Sequence, residues 1–520
     1  MTAWTVDDSL RRTASTQPDA TAVCAGDSEI TYAELDRSAS AMAGGLRDLG
    51  VGRGARVAVA LTNRVEAALS VYAVFRAGAA LVPLPPGIKS QKLRHVLADC
   101  AAEALICEPS LVPMVRDGNA SPPAPRVVTA GAAAGFPSIA ELLRHEPLRE
   151  RPPIEVDIAA IIYTSGSTGT PKGVTLTHRN MAFAVNSIAD YLQMQGDDRV
   201  VSVLPLSFDY GLYQLLLCTA VGATVLLEPG VRYPGRLVQL LVERRVTGLP
   251  GVPSLFGMMS TLPGFVERPL PHLRFLTSTG AVLPVETIRA LRAAFPRARL
   301  YSMYGLTECK RVSYLPPEEV DRRPSSVGVP IPGTEVWIED ESGARLGAGQ
   351  VGQLMVRGPH VMQGYWDDPD ETRKRLRQGV WPWERTLMTG DLFRCDDEGF
   401  LYYVGRRDDM IKTRGEKVYP REIEDALLTA PGVLEAAVVG VPDALKGEAI
   451  HAHVAPRPGM VLQVHELHRF CSELLEAHLV PSRIVVHGRL PKTVNGKIDH
   501  RALAEGWTEQ PASTTVEAGG

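Results

Sequence analysis

The sequence has little that would tie it to a membrane or a nucleic acid. Its longest apolar run, near Leu215–Leu227, is well short of the ~20 residues that cross a bilayer. The first residues, MTAWTVDDSLRRTA, carry acidic groups and no apolar stretch, so no signal peptide is expected. Neither sign of charge dominates. The 55 basic and 59 acidic side chains leave a net charge of −4, which excludes a strongly basic nucleic-acid binder and a polyanionic tail. CxxC pairs are absent as well. The seven cysteines, at 24, 100, 107, 218, 309, 395 and 471, are odd in number and dispersed, which suits reduced thiols in a cytoplasmic protein. What remains is ordinary globular material: 45% hydrophobic residues in a chain of 520. That length suggests three or four units of ~150 residues each.

Short apolar runs alternate with amphipathic helical patterns along most of the chain. Ala55–Leu61 reads as a buried strand, Val65–Ala77 as a helix and Ala80–Pro83 as a strand again. The same beat returns at Ala104–Cys107, Ala159–Thr164, Val200–Leu204, Thr224–Leu227, Phe275–Ser278 and Arg299–Ser302. Alternation of this kind predicts an α/β fold built on mostly parallel sheets. From about 325 to 404 the character changes. There Thr334–Glu339, Gln353–Val356, Asp391–Cys395 and Phe400–Val404 are short strands between Gly, Asp and Pro turns, as in a β-rich subdomain. A charged stretch from Gly405 leads into a small α+β pattern with helices at Arg421–Ala430 and Val464–His478 and strands at Ala436–Val441 and Ile450–Ala455. The tail, Gly506–Gly520, has no periodicity and reads as disordered.

The strongest local signal is YTSGSTGTPKGV, Tyr163–Val174, directly after an apolar strand. Its glycines admit close backbone approach, its hydroxyls and N–H groups can point at an anion, and Lys172 adds charge. It is not a P-loop, because Lys172 stands between Pro171 and Gly173 and no Gly-Lys-Ser/Thr follows.

This loop resembles the signature of the adenylate-forming enzymes, the superfamily of acyl-CoA synthetases, carrier-protein adenylation domains and luciferases. STGAVLP at Ser278–Pro284, YGLTE at Tyr304–Glu308, TGDL at Thr389–Leu392, GRRDD at Gly405–Asp409 and PKTVNGKI at Pro491–Ile498 resemble its other motifs, in family order. The resemblance covers roughly residues 10–505. It implies a large ATP- and acid-binding domain over 1–404, a hinge at 405–409 around Asp408, and a small mobile domain over 410–505. It also implies ATP and Mg²⁺ as cofactors, and attack of a carboxylate on the α-phosphorus of ATP to give an acyl-adenylate and pyrophosphate.

The same resemblance implies roles for particular residues. Thr164, Ser165, Gly166, Ser167, Thr168, Gly169 and Lys172 would hold the β- and γ-phosphates. Thr307 and Glu308 would meet the α-phosphate, with Glu308 and Thr164 as ligands of Mg²⁺. A hard cation held by one carboxylate and phosphate oxygens is normal Mg²⁺ chemistry. Tyr304 would flank adenine with the backbone of Gly280 and Ala281, while Asp391 and Arg406 would take the ribose. Lys497 would be the catalytic lysine, bridging the acid and the α-phosphate as a compact ammonium.

The acid pocket departs from parts of the family. Where many acyl-CoA synthetases have Pro-Leu-Phe-His, this chain reads PLSFDYG, with Asp209 followed by Tyr210. Asp209 resembles the aspartate that pairs with the ammonium of an amino-acid substrate; the plainer alternative is a helix N-cap. After YGLTE come Cys309, Lys310 and Arg311, two adjacent cations that could receive a second acidic group, with Ser278 adding a hydrogen bond. On an extended segment adjacent side chains point opposite ways, so at most one cation is expected to enter the pocket. Asp209, Ser278, Lys310 and Arg311 together resemble the pocket of stand-alone enzymes that load acidic β-amino acids onto carrier proteins. No LGGxS-like serine is found, so the thiol acceptor is expected to be a separate carrier protein or coenzyme A; VYPREIE at Val418–Glu424 is phrased more like the acyl-CoA synthetases. Two alternatives stand beside amino-acid loading: an acyl- or aryl-CoA ligase, and a relative that activates nitrite to diazotise an aryl amine. Neither a nucleic acid nor a membrane is an expected partner.

Overall fold

The computed structural model describes residues 4–116, 124–148, 153–165, 171–231, 233–262, 264–265, 270–413, 416–443, 447–493 and 498–507. Two sheets form the body of the large domain. The first runs in the spatial order Val329–Pro330, Ser313–Tyr314, Arg299–Tyr304, Phe275–Ser278, Gly248–Gly251, Arg199–Ser202, Thr224–Leu227, Thr21–Ala25, Ser28–Thr31. Every neighbouring pair from Arg299–Tyr304 to Thr21–Ala25 is parallel. The second runs Gly364–Tyr365, Pro171–Thr177, Ile158–Ser165, Ala80–Pro83, Arg56–Ala60, Ala104–Cys107, Arg126–Thr129, parallel except for its first two pairings.

Parallel strands are covered by helices on both faces, so they must be apolar on both. Ala80–Pro83, Ala104–Cys107, Thr224–Leu227 and Phe275–Ser278 are buried at every residue. Helices Val65–Arg76 and Asp209–Val221 are buried over almost their whole length, as expected of helices packed within a layered core. One central strand, Gly248–Gly251, is not legible from its sequence GLPG, since Gly and Pro argue against a strand. Packing explains it: the ring of Phe275 on the neighbouring strand occupies the space beside Gly248, where an added Cβ would lie 2.3 Å from it.

The expected β-rich subdomain is an antiparallel sheet of Glu335–Glu339, Gly352–Arg357, Leu376–Gln378, Arg385–Cys395 and Leu401–Arg406. Its last strand continues to Arg406, which pairs with Asp391, and Asp408 lies in the turn that follows. The small domain folds a second sheet, chiefly Val433–Asp443 against Gly447–Pro456, under helices Pro420–Thr429 and Val464–Leu474. Trp507, assigned to the tail from its sequence, packs 5.3 Å from the ring of His487; residues 508–520 lie outside the described residues. All seven cysteines are free thiols, Cys395 half-buried and the rest buried. Among the described residues no helix is long and apolar enough to cross a membrane.

Candidate active site

In an open parallel sheet, ligands gather where the carboxyl ends of the strands meet the loops that follow. Three expected site segments lie along one such edge. Thr279–Ala281 follows strand Phe275–Ser278, and Gly305–Glu308 follows the adjacent strand Arg299–Tyr304. Helix Asp209–Val221 follows strand Arg199–Ser202 of the same sheet. Gly280 has φ +92°, a conformation that only glycine adopts freely. After Glu308 the chain reverses, and Ser313–Tyr314 pairs antiparallel with Met303–Tyr304. Gly305 closes that reversal, because a Cβ there would stand 2.2 Å from the carbonyl oxygen of Lys310.

The residues expected on the nucleotide side are a set of charges with partners. The Tyr304 hydroxyl donates to Asp391 Oδ2 at 2.5 Å, and Arg406 Nε lies 3.4 Å from Asp391 Oδ1. Burial pushes the Asp391 carboxyl up and Arg406 pulls it back. The Tyr304 ring leans on Phe393, centroids 4.7 Å apart. Glu308 Oε1 accepts from the Tyr365 hydroxyl at 2.8 Å, and its carbonyl accepts from Met362 N at 2.8 Å. Thr307 is half-buried beside it. In the signature hairpin Thr164 faces Lys172 in register. The Lys172 ammonium is ion-paired with Glu371 and lies 5.7 Å from the centre of the Tyr365 ring. Lys172 and Lys374 together hold the Glu371 carboxyl down at about 2. Gly166, Ser167, Thr168 and Gly169 lie outside the described residues, as does the Ser165 side chain. Lys497 lies outside them too. Among the described residues on either side of it, Lys492 forms a bridge with Ile498 and its Nζ pairs with Glu435 at 2.6 Å.

The acid side differs from expectation in two respects. Asp209 is not an N-cap: Phe208 holds that position, Asp209 is the first helical residue, and no side-chain cap bond forms. Its carboxylate is instead paired with Lys310, Nζ to Oδ2 at 3.4 Å. Secondly, both cations turn inward. Lys310 has φ +60°, so the segment is kinked and the alternation of an extended chain does not apply. Lys310 and Arg311 are 5% and 2% exposed. The Lys310 ammonium lies 4.4 Å from the centre of the Tyr213 ring, and burial lowers its pKa to about 8 against the pull of Asp209. Arg311 Nη1 donates to Thr279 Oγ1 at 2.8 Å, whereas its buried Nε has no acceptor. The Tyr210 hydroxyl is bonded to Thr277, and the buried Ser278 hydroxyl has no partner.

Residues 10–366 match the family described as AMP-binding enzyme, and residues 422–497 match its C-terminal domain. This chain belongs to the AMP-binding enzyme family. Within that family it is 34% identical over 492 residues to a feruloyl-CoA synthase of Amycolatopsis, covering 94% of this chain and 96% of the relative. It superposes on ATP-bound MatB from Rhodopseudomonas palustris with a TM-score of 0.89, at 29% identity, covering 96% and 98% of the two chains. The anthranilate CoA ligase AuaEII, solved with anthranoyl-AMP, gives 0.89 at 26% identity over 97% of each chain. The protein is thus an ATP-dependent, adenylate-forming ligase of carboxylic acids. Glu371 and Tyr365 had no signal in the sequence of this AMP-binding enzyme, and Thr279, although inside STGAVLP, gave no sign of its partner. Glu371 lies 199 residues from Lys172, Tyr365 lies 57 from Glu308, and Thr279 lies 32 from Arg311; only the fold joins them.

Proposed function

We propose that this enzyme activates a carboxylic acid as its acyl-adenylate and passes the acyl group to the thiol of coenzyme A. The observation that carries the reading is that three sheets bring together Tyr304 with Asp391 and Arg406, and Glu308 with Tyr365, which in turn lies against Lys172. Asp391 and Arg406 suit a ribose, the Gly280–Ala281 backbone and Tyr304 suit adenine, and Thr164–Lys172 suits the outer phosphates. An oxygen of the acid attacks the α-phosphorus as the bond to pyrophosphate breaks, and the electron pair leaves with pyrophosphate. Thr307 hydrogen-bonds the α-phosphate, and Lys497 neutralises the two approaching anions, a positioning and electrostatic role. The small domain then turns about Asp408, and the thiolate sulfur attacks the acyl carbon to expel AMP.

The donor set fits Mg²⁺. Glu308 is an acceptor-only carboxylate with one oxygen bonded to Tyr365, and Thr164 adds a hydroxyl across the hairpin mouth. Bound there with the phosphates, the cation would offset their charge.

Coenzyme A is favoured over a carrier protein because full-length relatives such as the feruloyl-CoA synthase carry that name. Amino-acid loading loses its main support at Asp209, whose charge is already answered by Lys310. The test is incubation of the enzyme with ATP, Mg²⁺, coenzyme A and a panel of acids, followed by mass spectrometry. AMP, pyrophosphate and an acyl-CoA are expected. A thioester formed only on an added carrier protein, diazotisation by nitrite, or release of ADP would each overturn the coenzyme A reading.

A further inference from the structure

The acid-side wall holds two cations and one carboxylate. Asp209 and Lys310 answer each other at 3.4 Å. Arg311 answers no carboxylate among the described residues. It is 2% exposed, shares Nη1 with the neutral hydroxyl of Thr279, stands 5.6 Å from the Tyr210 ring and leaves Nε unbonded. The neighbouring Ser278 hydroxyl, 1% exposed, is also unbonded. A buried cation without a counter-ion is costly, and one-sided loss of a partner in such a place is among the larger destabilising effects in proteins. Here the surplus charge stands at the carboxyl edge of the sheet, next to the Gly280 loop, where a guest would lie.

Resting on the reading of this site as acid-adenylating, we propose that the acid carries a second anionic group, taken by Arg311, and no ammonium group. The guanidinium fork matches a carboxylate in a way an ammonium does not, and Ser278 offers a further donor. Lys310 then serves as the internal counter-ion of Asp209. A guest ammonium would compete with Lys310 for that carboxylate while facing the uncompensated charge of Arg311. The inference therefore assigns Lys310 and Arg311 different tasks: the first fills the place a substrate amine would take, the second selects a distal anion.

The test is substrate-dependent ATP–pyrophosphate exchange with no thiol acceptor, using acids of matched size. Succinate, glutarate, adipate and phthalate are compared with butyrate, valerate, hexanoate and benzoate, and with 4-aminobutyrate, 5-aminovalerate, 6-aminohexanoate and aminobenzoate. In the wild type, kcat/KM for at least one diacid exceeds that of its monoacid by about 100-fold or more, and the amino acid ranks last. Arg311→Met brings the diacid-to-monoacid ratio to within about threefold, and Arg311→Lys restores part of it. Equal or better turnover of monoacids or amino acids by the wild type overturns the inference while leaving adenylation intact. A ratio unmoved by Arg311→Met does the same, as expected if Arg311 is only a packing element. Exchange with no acid, while ATP still binds, overturns the adenylation reading itself. Should Arg311→Met fail to fold, the wild-type ranking and the Arg311→Lys ratio decide the question.

Discussion

On the nucleotide side Asp391 lies between Tyr304 and Arg406, Glu308 accepts from Tyr365, and Lys172 is paired with Glu371. On the acid side Asp209 and Lys310 answer each other, and Arg311 is left over. In the first set Asp391 and Lys172 are each ion-paired within the chain and Glu308 holds a neutral hydroxyl, so ligand groups must displace or join existing partners. The second set is short of one anion, which the acid can bring. A site that receives one invariant co-substrate can afford prepaid partners, whereas a site that selects among acids gains discrimination from a charge left open.

The sharpest way to break this comparison is to remove Lys497, the lysine proposed to bridge the acid and the α-phosphate. Lys497→Ala is expected to lower the rate of adenylation by about 10³-fold or more, with ATP affinity within about threefold of wild type. Single-turnover formation of acyl-adenylate and calorimetric ATP binding check the two halves of that statement. Asp391→Ala comes next. It removes the acceptor of Tyr304 and the partner of Arg406, and KM for ATP is expected to rise about 100-fold with a smaller change in KM for the acid.

Glu371→Gln is a finer probe. Because Glu371 is ion-paired with Lys172, its neutral variant is expected to free the lysine for the phosphates it is proposed to hold, and KM for ATP to fall by about threefold. A rise instead would mean that Glu371 presents Lys172 to the nucleotide. The smallest effect concerns pH. Burial lowers His178, His360 and His453 to about 4 from 6.5. These rings are neutral in the folded state, so the unfolded chain binds more protons between those values. Stability from this source is present above about pH 6.5 and is lost as pH falls toward about 4, and Tm should decline over that window. His453→Gln should flatten part of the decline.

The α/β class, the succession of strands and the nucleotide motifs were legible because each depends on contiguous residues. Buried parallel strands such as Ala104–Cys107 and Thr224–Leu227 show as unbroken apolar runs, and YGLTE and the Tyr163–Val174 loop carry their chemistry in local order. Gly248–Gly251 was hidden, since its place in the sheet is set by the Phe275 ring and not by its own propensities. The partners of Lys172 and Glu308 were hidden by distance along the chain. The acid wall was half legible. The residue types Asp209, Lys310 and Arg311 were identified, but the kink at Lys310 turned both cations inward and gave Asp209 a partner within the chain.

The comparison between the two sides rests on the open charge at Arg311, and binding without turnover tests it most directly. The measurement is the thermal shift produced by succinate, glutarate, adipate or phthalate in the absence of ATP, set against the matched monoacids, in wild type and Arg311→Lys. A diacid that raises the wild-type Tm while its monoacid does not, with the shift reduced in Arg311→Lys, is the predicted result. Equal shifts for diacid and monoacid, or a diacid shift that Arg311→Lys leaves untouched, would contradict the account.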